Sequence, residues 1–375
     1  MNFIPYGKQL IEQDDIDSVV DTLKSDYLTT GPKVKEFEEA LALYCGVSYV
    51  VAVSNGTAAL HLSSLALLKQ NDKVLTTPNS FLATSNSILY VGAKPIFIDI
   101  AKDGNIDLDL CEIELKKDSS IKAIYVVAFS GNMVNQEKLK YLRETYNVKI
   151  LEDNAHAIGA VYDGIKSGSC NNSDISIFSF HPVKHLTTAE GGAITTNSKE
   201  IYKKLLTLRN HGMVKISSMK PWEYEMRDLG FNYRITDIQC ALGISQLKKL
   251  PDFIKRRFEI AKQYDKAFIN TIVKPLYKFD GKSSYHLYVV QVDFTNLNIS
   301  KVNLFNKLRE RNIGVQLHYM PINKQPYYKR LGYGEENIPN MQRYYEECFS
   351  LPMYPLLSDT EQSYVIKNLM EILNG

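Results

Sequence analysis

Apolar residues in this chain gather into short runs separated by stretches of helical spacing. The runs are Ser48–Val53, Lys73–Thr77, Pro95–Asp99, Ala123–Val127, Lys149–Leu151, Ile175–Phe180 and Gly192–Thr196. Strands that alternate with helices in this way predict a mostly parallel α/β sheet. Ahead of them, Ile16, Val19, Val20 and Leu23 recur at helical spacing, and the turn cluster Leu28-Thr29-Thr30-Gly31-Pro32 stops that helix before a second begins near Val34. Beyond about residue 245 the pattern changes. A basic amphipathic helix over Ile254–Phe268, a strand over Tyr285–Phe294, a helix over Val302–Arg311, a strand over Val315–Tyr319 and a last helix predict a smaller α+β domain. The expected division is residues 1–245 as the large domain, with its N-terminal helical segment, and 246–375 as the small one. No internal repeat or Gly/Ser linker separates them, so the two are expected to pack together.

Composition narrows the class. With 375 residues and 45% hydrophobic content the chain can bury a large core. A net charge of +2 from 44 basic and 42 acidic residues gives no sustained field for a nucleic acid or an anionic membrane. The start, Met1-Asn2-Phe3-Ile4-Pro5-Tyr6, lacks the pattern of a signal peptide, and no apolar stretch of about 18 residues could span a bilayer. A cytoplasmic protein is expected. The cysteines Cys45, Cys111, Cys170, Cys240 and Cys348 are scattered without metal-ligand spacing, so they are expected to be reduced and structural, and no metal site is expected.

One constellation carries chemistry. Lys184 lies in Phe180-His181-Pro182-Val183-Lys184-His185, after a buried strand and before Thr187, Thr188 and the pair Gly191-Gly192; Glu152-Asp153 end an apolar strand upstream. Open α/β sheets bind ligands at the carboxyl ends of their strands. Pyridoxal phosphate needs a lysine to hold its aldehyde as a Schiff base and an acid to keep its ring nitrogen protonated, and Lys184 and Asp153 suit those roles. Ser54-Asn55-Gly56-Thr57-Ala58 follows the first strand and opens a helix, where backbone amides and the Thr57 hydroxyl could cup a phosphate, or simply cap the helix. Phe81 could stack on a ring or fill core, and Ser179 could bind phosphate or satisfy the backbone. Asn232 is in a polar loop ahead of an apolar helix and is a residue type that can reach across a dimer contact. The histidines His156, His181 and His185 flank the proposed site. No Gly-x-Gly-x-x-Gly motif follows a strand and no Walker loop is present, so nicotinamide and P-loop chemistry have no footing.

The runs Leu28–Val34, Ser54–Ala58, Glu152–His156, Phe178–Lys184 and Glu190–Gly192 resemble those of the nucleotide-sugar aminotransferases, a family of fold-type-I pyridoxal-phosphate enzymes. Asp103–Asp107, Ala241–Lys249 and Gln316–Ile322 are similar to the branch that aminates C4 of a UDP-4-keto-6-deoxy-N-acetylhexosamine on the way to pseudaminic acid. The resemblance implies an α/β fold with a mostly parallel sheet, a pyridoxal 5′-phosphate cofactor, L-glutamate as amino donor and a homodimer with shared active sites. It implies Lys184 and Asp153 as catalytic residues, and Gly56, Thr57, Phe81, His156, Ser179 and Asn232 as cofactor contacts, Asn232 coming from the second subunit. Substrate contacts are implied for Tyr6, Asp26, Tyr27, Leu28, Thr29, Gly56, Ser179, Asn232, Leu317, His318, Tyr319 and Met320. Related dehydratases replace the lysine by histidine, so its presence favours transamination. His185 departs from the Asn or Pro that often follows the lysine, which leaves the polarity beside the amine open. The alternatives are the same chemistry on another 4-keto sugar nucleotide, of bacillosamine or perosamine type, and a non-catalytic binding protein on this fold.

Overall fold

The computed structural model describes residues 2–216, 218–278 and 280–374. Seven strands form the main sheet: β1 Tyr49–Val53, β2 Lys73–Thr76, β3 Lys94–Phe97, β4 Ile121–Val127, β5 Lys149–Asp153, β6 Ile175–Ser179 and β7 Gly192–Thr196, in the spatial order β1-β7-β6-β5-β4-β2-β3. Neighbours are parallel except where β7 lies antiparallel to both β1 and β6. Hence β1 and β6 run the same way, and the carboxyl ends of six strands share one edge. Strands covered by helices on both faces read as continuous apolar runs, which is why Ala123–Val127 and Ile175–Phe178 are buried without alternation.

A second sheet of Lys274–Pro275, Tyr288–Gln291 and Cys348–Leu351 is antiparallel throughout. Its core gathers Tyr264, Val290, Phe349, Val365 and Leu369, together with Ile4 from the other end of the chain, which bridges to Ile313. The expected helix at Ile254–Phe268 is the second half of one 31-residue helix, Asp237–Ala267, that passes through Pro251. The division expected at residue 245 falls inside it. The expected strand at Val315–Tyr319 is reduced to a single bridge, Gln316 to Ser350, because the following residues turn towards the main sheet edge. Among the described residues, no helix is long and apolar enough to cross a membrane.

Candidate functional site

A cleft of about 810 Å³ opens at the carboxyl edge of the main sheet, where the loops after β1, β2, β4, β5 and β6 meet Tyr6 and the segment Gln316–Tyr319. After two N-terminal helices, α1 (Gln13–Leu23) and α2 (Pro32–Cys45), the helix α3 (Gly56–Leu67) starts at its floor. Asn55 caps α3 by accepting the Ala58 amide at 2.7 Å, so the amides of Gly56 and Thr57 are left at the cleft lining, at the positive end of the helix dipole. The close approach there requires glycine. A Cβ on Gly56 would lie 2.9 Å from Cβ of Ser179, and one on Gly192 would lie 2.6 Å from the carbonyl oxygen of Asn55. That spacing leaves a concave cup lined by two amides and the Thr57 and Ser179 side chains, the geometry of an anion site.

Strand alternation decides which carboxylate of Glu152-Asp153 enters the cleft. Glu152 turns to the other face, where it accepts from Gln136 Nε2 at 2.9 Å and from Ser173 Oγ at 2.7 Å. Asp153 lines the cleft and accepts from Thr84 Oγ1 at 2.6 Å and from the Ala155 amide at 3.1 Å. Burial pushes its carboxyl above the usual range, while the Thr84 hydroxyl, the Ala155 amide and the Lys184 amine pull the other way. Thr84 is in the first turn of helix α4 (Leu82–Tyr90), just after Phe81, whose ring stands at the rim and is 59% exposed.

Lys184 leaves β6 on a loop that hydrogen bonds close: Phe180 donates to Gly191 O at 2.8 Å, Thr188 to Phe180 O at 3.0 Å, and Lys184 itself to His181 O at 2.8 Å. The long helix fastens this loop through Gln246, which accepts from the Thr187 amide at 3.4 Å and donates to Asp15 at 2.8 Å. One side of Lys184 remains open to the cleft, yet the low-dielectric walls bring its amine down to about 8, against the raising influence of Asp153.

Histidines build the wall facing the small sheet. Tyr319 Oη is 3.1 Å from His156 Nε2, and the His156 ring is 4.3 Å from that of His286. Burial holds both imidazoles neutral by pulling them well below their usual range. His318 accepts or donates at Nδ1 to Ser350 Oγ, 2.9 Å away, and burial lowers it to about 3. His185 lies outside the cleft lining and donates from Nε2 to Ser284 O at 2.9 Å, so the residue after the lysine braces the backbone at Ser284.

The cleft of one chain thus brings together Lys184, Asp153, Gly56, Thr57, Phe81, His156, Ser179, Tyr6, Leu317, His318 and Tyr319. Asp26, Tyr27, Leu28, Thr29 and Asn232 are exposed outside its lining, as is Met320. Ser80, Thr84, Tyr233 and His286 line it and carried no signal in the sequence reading. Ser80 and Thr84 are spaced i,i+4 at a helix start that follows a strand, a pattern shared with ordinary helix caps. Among the described residues no arginine lines the cleft, and its one lysine is Lys184. No group of three or more His, Cys, Asp or Glu side chains in the described residues could hold a metal ion.

The cup, the buried carboxylate and the depressed amine sit in one cleft, and comparison with known proteins follows that arrangement. A transaminase of Campylobacter jejuni strain 81-176, UDP-4-amino-4,6-dideoxy-N-acetyl-beta-L-altrosamine transaminase, is 44% identical over 99% of this chain and 97% of its own. The structure of Helicobacter pylori PseC, described as an aminotransferase involved in the biosynthesis of pseudoaminic acid, superposes with a TM-score of 0.93 at 32% identity over the full length of both chains. The PLP-form of the putative sugar aminotransferase Spr1654 from Streptococcus pneumoniae gives 0.91 at 31% identity over 99% of each. The model of the DegT/DnrJ/EryC1/StrS aminotransferases matches residues 9–370, and this chain belongs to that family.

Proposed function

We propose that this enzyme is a pyridoxal-phosphate-dependent transaminase that moves the amino group of L-glutamate to C4 of a UDP-4-keto-6-deoxy-N-acetylhexosamine. The product is then UDP-4-amino-4,6-dideoxy-N-acetyl-β-L-altrosamine, of use in making pseudaminic acid. The observation that carries the reading is that Lys184 and Asp153 line one cleft at the carboxyl edge of the sheet. The close relation to the Campylobacter transaminase supports the sugar.

The residues fit the cofactor: the cup that a Cβ on Gly56 would fill suits its phosphate, and Asp153 and Lys184 suit its ring nitrogen and aldehyde. Bound there, pyridoxal 5′-phosphate supplies an electron sink that makes the carbon bearing the amino group acidic. The Gly56 and Thr57 amides and the Ser179 hydroxyl would hold the anionic phosphate. Phe81 and His156, which both line the cleft, would help confine the ring. Nζ of Lys184, with its affinity for protons lowered to about 8, takes a proton from one carbon and returns it to another as general base and acid. Asp153 would supply the fixed negative charge, its influence made stronger by the dry surroundings. Tyr6, Leu317, His318 and Tyr319 form the wall for the sugar. A homodimer completes the site, with Asn232 and the stretch Asp26–Thr29 reaching the partner's cleft.

Reduction of the loaded protein with borohydride, followed by peptide mapping, should place the label on Lys184. A label on another lysine would overturn the assignment. Turnover of a panel of UDP- and dTDP-linked 4-keto sugars with glutamate should show one strongly preferred UDP sugar.

A further inference from the structure

We propose that Ser80 and Thr84 form a hydroxyl relay that positions Asp153 and keeps it ionised for the ring nitrogen, an inference that rests on the cofactor reading above. Both residues are buried, Ser80 at 3% and Thr84 at 0% exposure. Thr84 Oγ1 donates its single hydrogen to Asp153 Oδ2 at 2.6 Å. The 2.7 Å contact between Ser80 Oγ and Thr84 Oγ1 must therefore be donated by Ser80. The order is fixed: Ser80 to Thr84 to Asp153.

Two features set this threonine apart. In a first helical turn a threonine hydroxyl usually bonds the backbone, whereas here it is committed to two side chains, one of them a cleft carboxylate. Its distance to Asp153 also lies within the range of about 2.5–2.7 Å found for hydroxyls that donate to a charged oxygen. Donation to the ionised form favours that form, and the start of α4 adds the positive end of a helix dipole. The relay thus opposes the burial that would otherwise protonate Asp153.

The other titratable groups facing this cleft do not replace it. Lys184 favours the carboxylate through its charge, the smallest of the three influences that oppose burial. Tyr319 is held protonated by burial, and His156, His286 and His318 are held neutral.

The test is an infrared titration of the carboxylic-acid band in the full-length protein free of cofactor, with the Asp153 contribution identified by its loss in Asp153→Asn. Thr84→Val should move the Asp153 midpoint upward by about one pH unit or more, since hydrogen bonds to charged groups are worth at least that. Thr84→Ser should bring it back, and Ser80→Ala should move it in the same direction by less. In the loaded enzyme Thr84→Val should lower kcat for the glutamate half-reaction and leave KM for glutamate near the parental value. A parental midpoint in Thr84→Val, or equal shifts in the Val and Ser variants with matched thermal unfolding, would overturn the relay. Failure of the parental protein to bind pyridoxal phosphate would overturn the functional reading instead and leave this titration standing.

Discussion

Lys184 and Asp153 place opposite demands on the same cleft, one needing to lose its proton and the other needing to stay charged. The buried walls lower the amine to about 8, so the free base is scarce below that pH and predominates above it. Covalent capture of the cofactor aldehyde requires the free base. The rate at which absorbance of the bound cofactor appears, when pyridoxal phosphate is added to the cofactor-free protein, should therefore rise with pH through a midpoint near 8 and level off. A midpoint near the ordinary lysine value would sink this account of Lys184. For Asp153, an amide preserves shape but carries no charge. Asp153→Asn should retain the fold and bind cofactor, yet slow single-turnover proton removal on the order of a hundredfold or more. Parental single-turnover rates in that variant would assign the ring nitrogen to another acid.

At the scale of elements, the site depends on how closely α3 and β6 approach each other. Because a Cβ on Gly56 would lie 2.9 Å from the Cβ of Ser179, Gly56→Ala forces the helix start and the strand end apart. Overpacking of this kind costs about 1–3 kcal/mol, so cofactor affinity measured by fluorescence titration should fall tenfold or more while the unfolding temperature drops modestly. Affinity equal to the parent would show that the cup is looser than its geometry. This contact also marks where sequence reading succeeds and fails. The runs that became β1, β4, β6 and β7 were legible because doubly covered strands are apolar along their whole length, and Ser54–Ala58 was legible as a helix start because Asn55 caps. Thr84 and Ser80 were not, since a polar pair in a helix start looks like any cap until β5 is folded beside it. The long helix starts well ahead of the stretch Ile254–Phe268 expected from the sequence and runs through Pro251. Packing of Leu250, Phe253 and Arg257 on both sides of it carries the helix through, and we propose that the two domains share this helix.

At the scale of the whole molecule, we propose that a second copy of the chain contributes to each cleft. A UDP sugar brings two phosphates, yet no arginine among the described residues lines the cleft, and Lys184 is already engaged in chemistry. Asn232 and Asp26–Thr29 are exposed, and the segment leading to Asn232 leaves Trp222 74%, Tyr224 60% and Leu229 77% exposed. Apolar side chains clustered at a surface mark an interaction site, and a second copy of the chain would cover them while bringing its own Asn232 to the neighbouring cleft. A site shared in this way would have a sharp consequence. In a heterodimer of Lys184→Ala with Asn232→Ala, one cleft has both residues intact and the other has neither. Random exchange between equal amounts of the two inactive variants makes half of the dimers mixed, so activity should recover to about a quarter of the parental value. Asn232→Ala must first be shown to have lost activity or cofactor affinity on its own. If the mixture stays inactive although subunit exchange is demonstrated by mass spectrometry, or if a monomer isolated by sedimentation turns over, each cleft is complete within one chain and Asn232 acts from its own subunit.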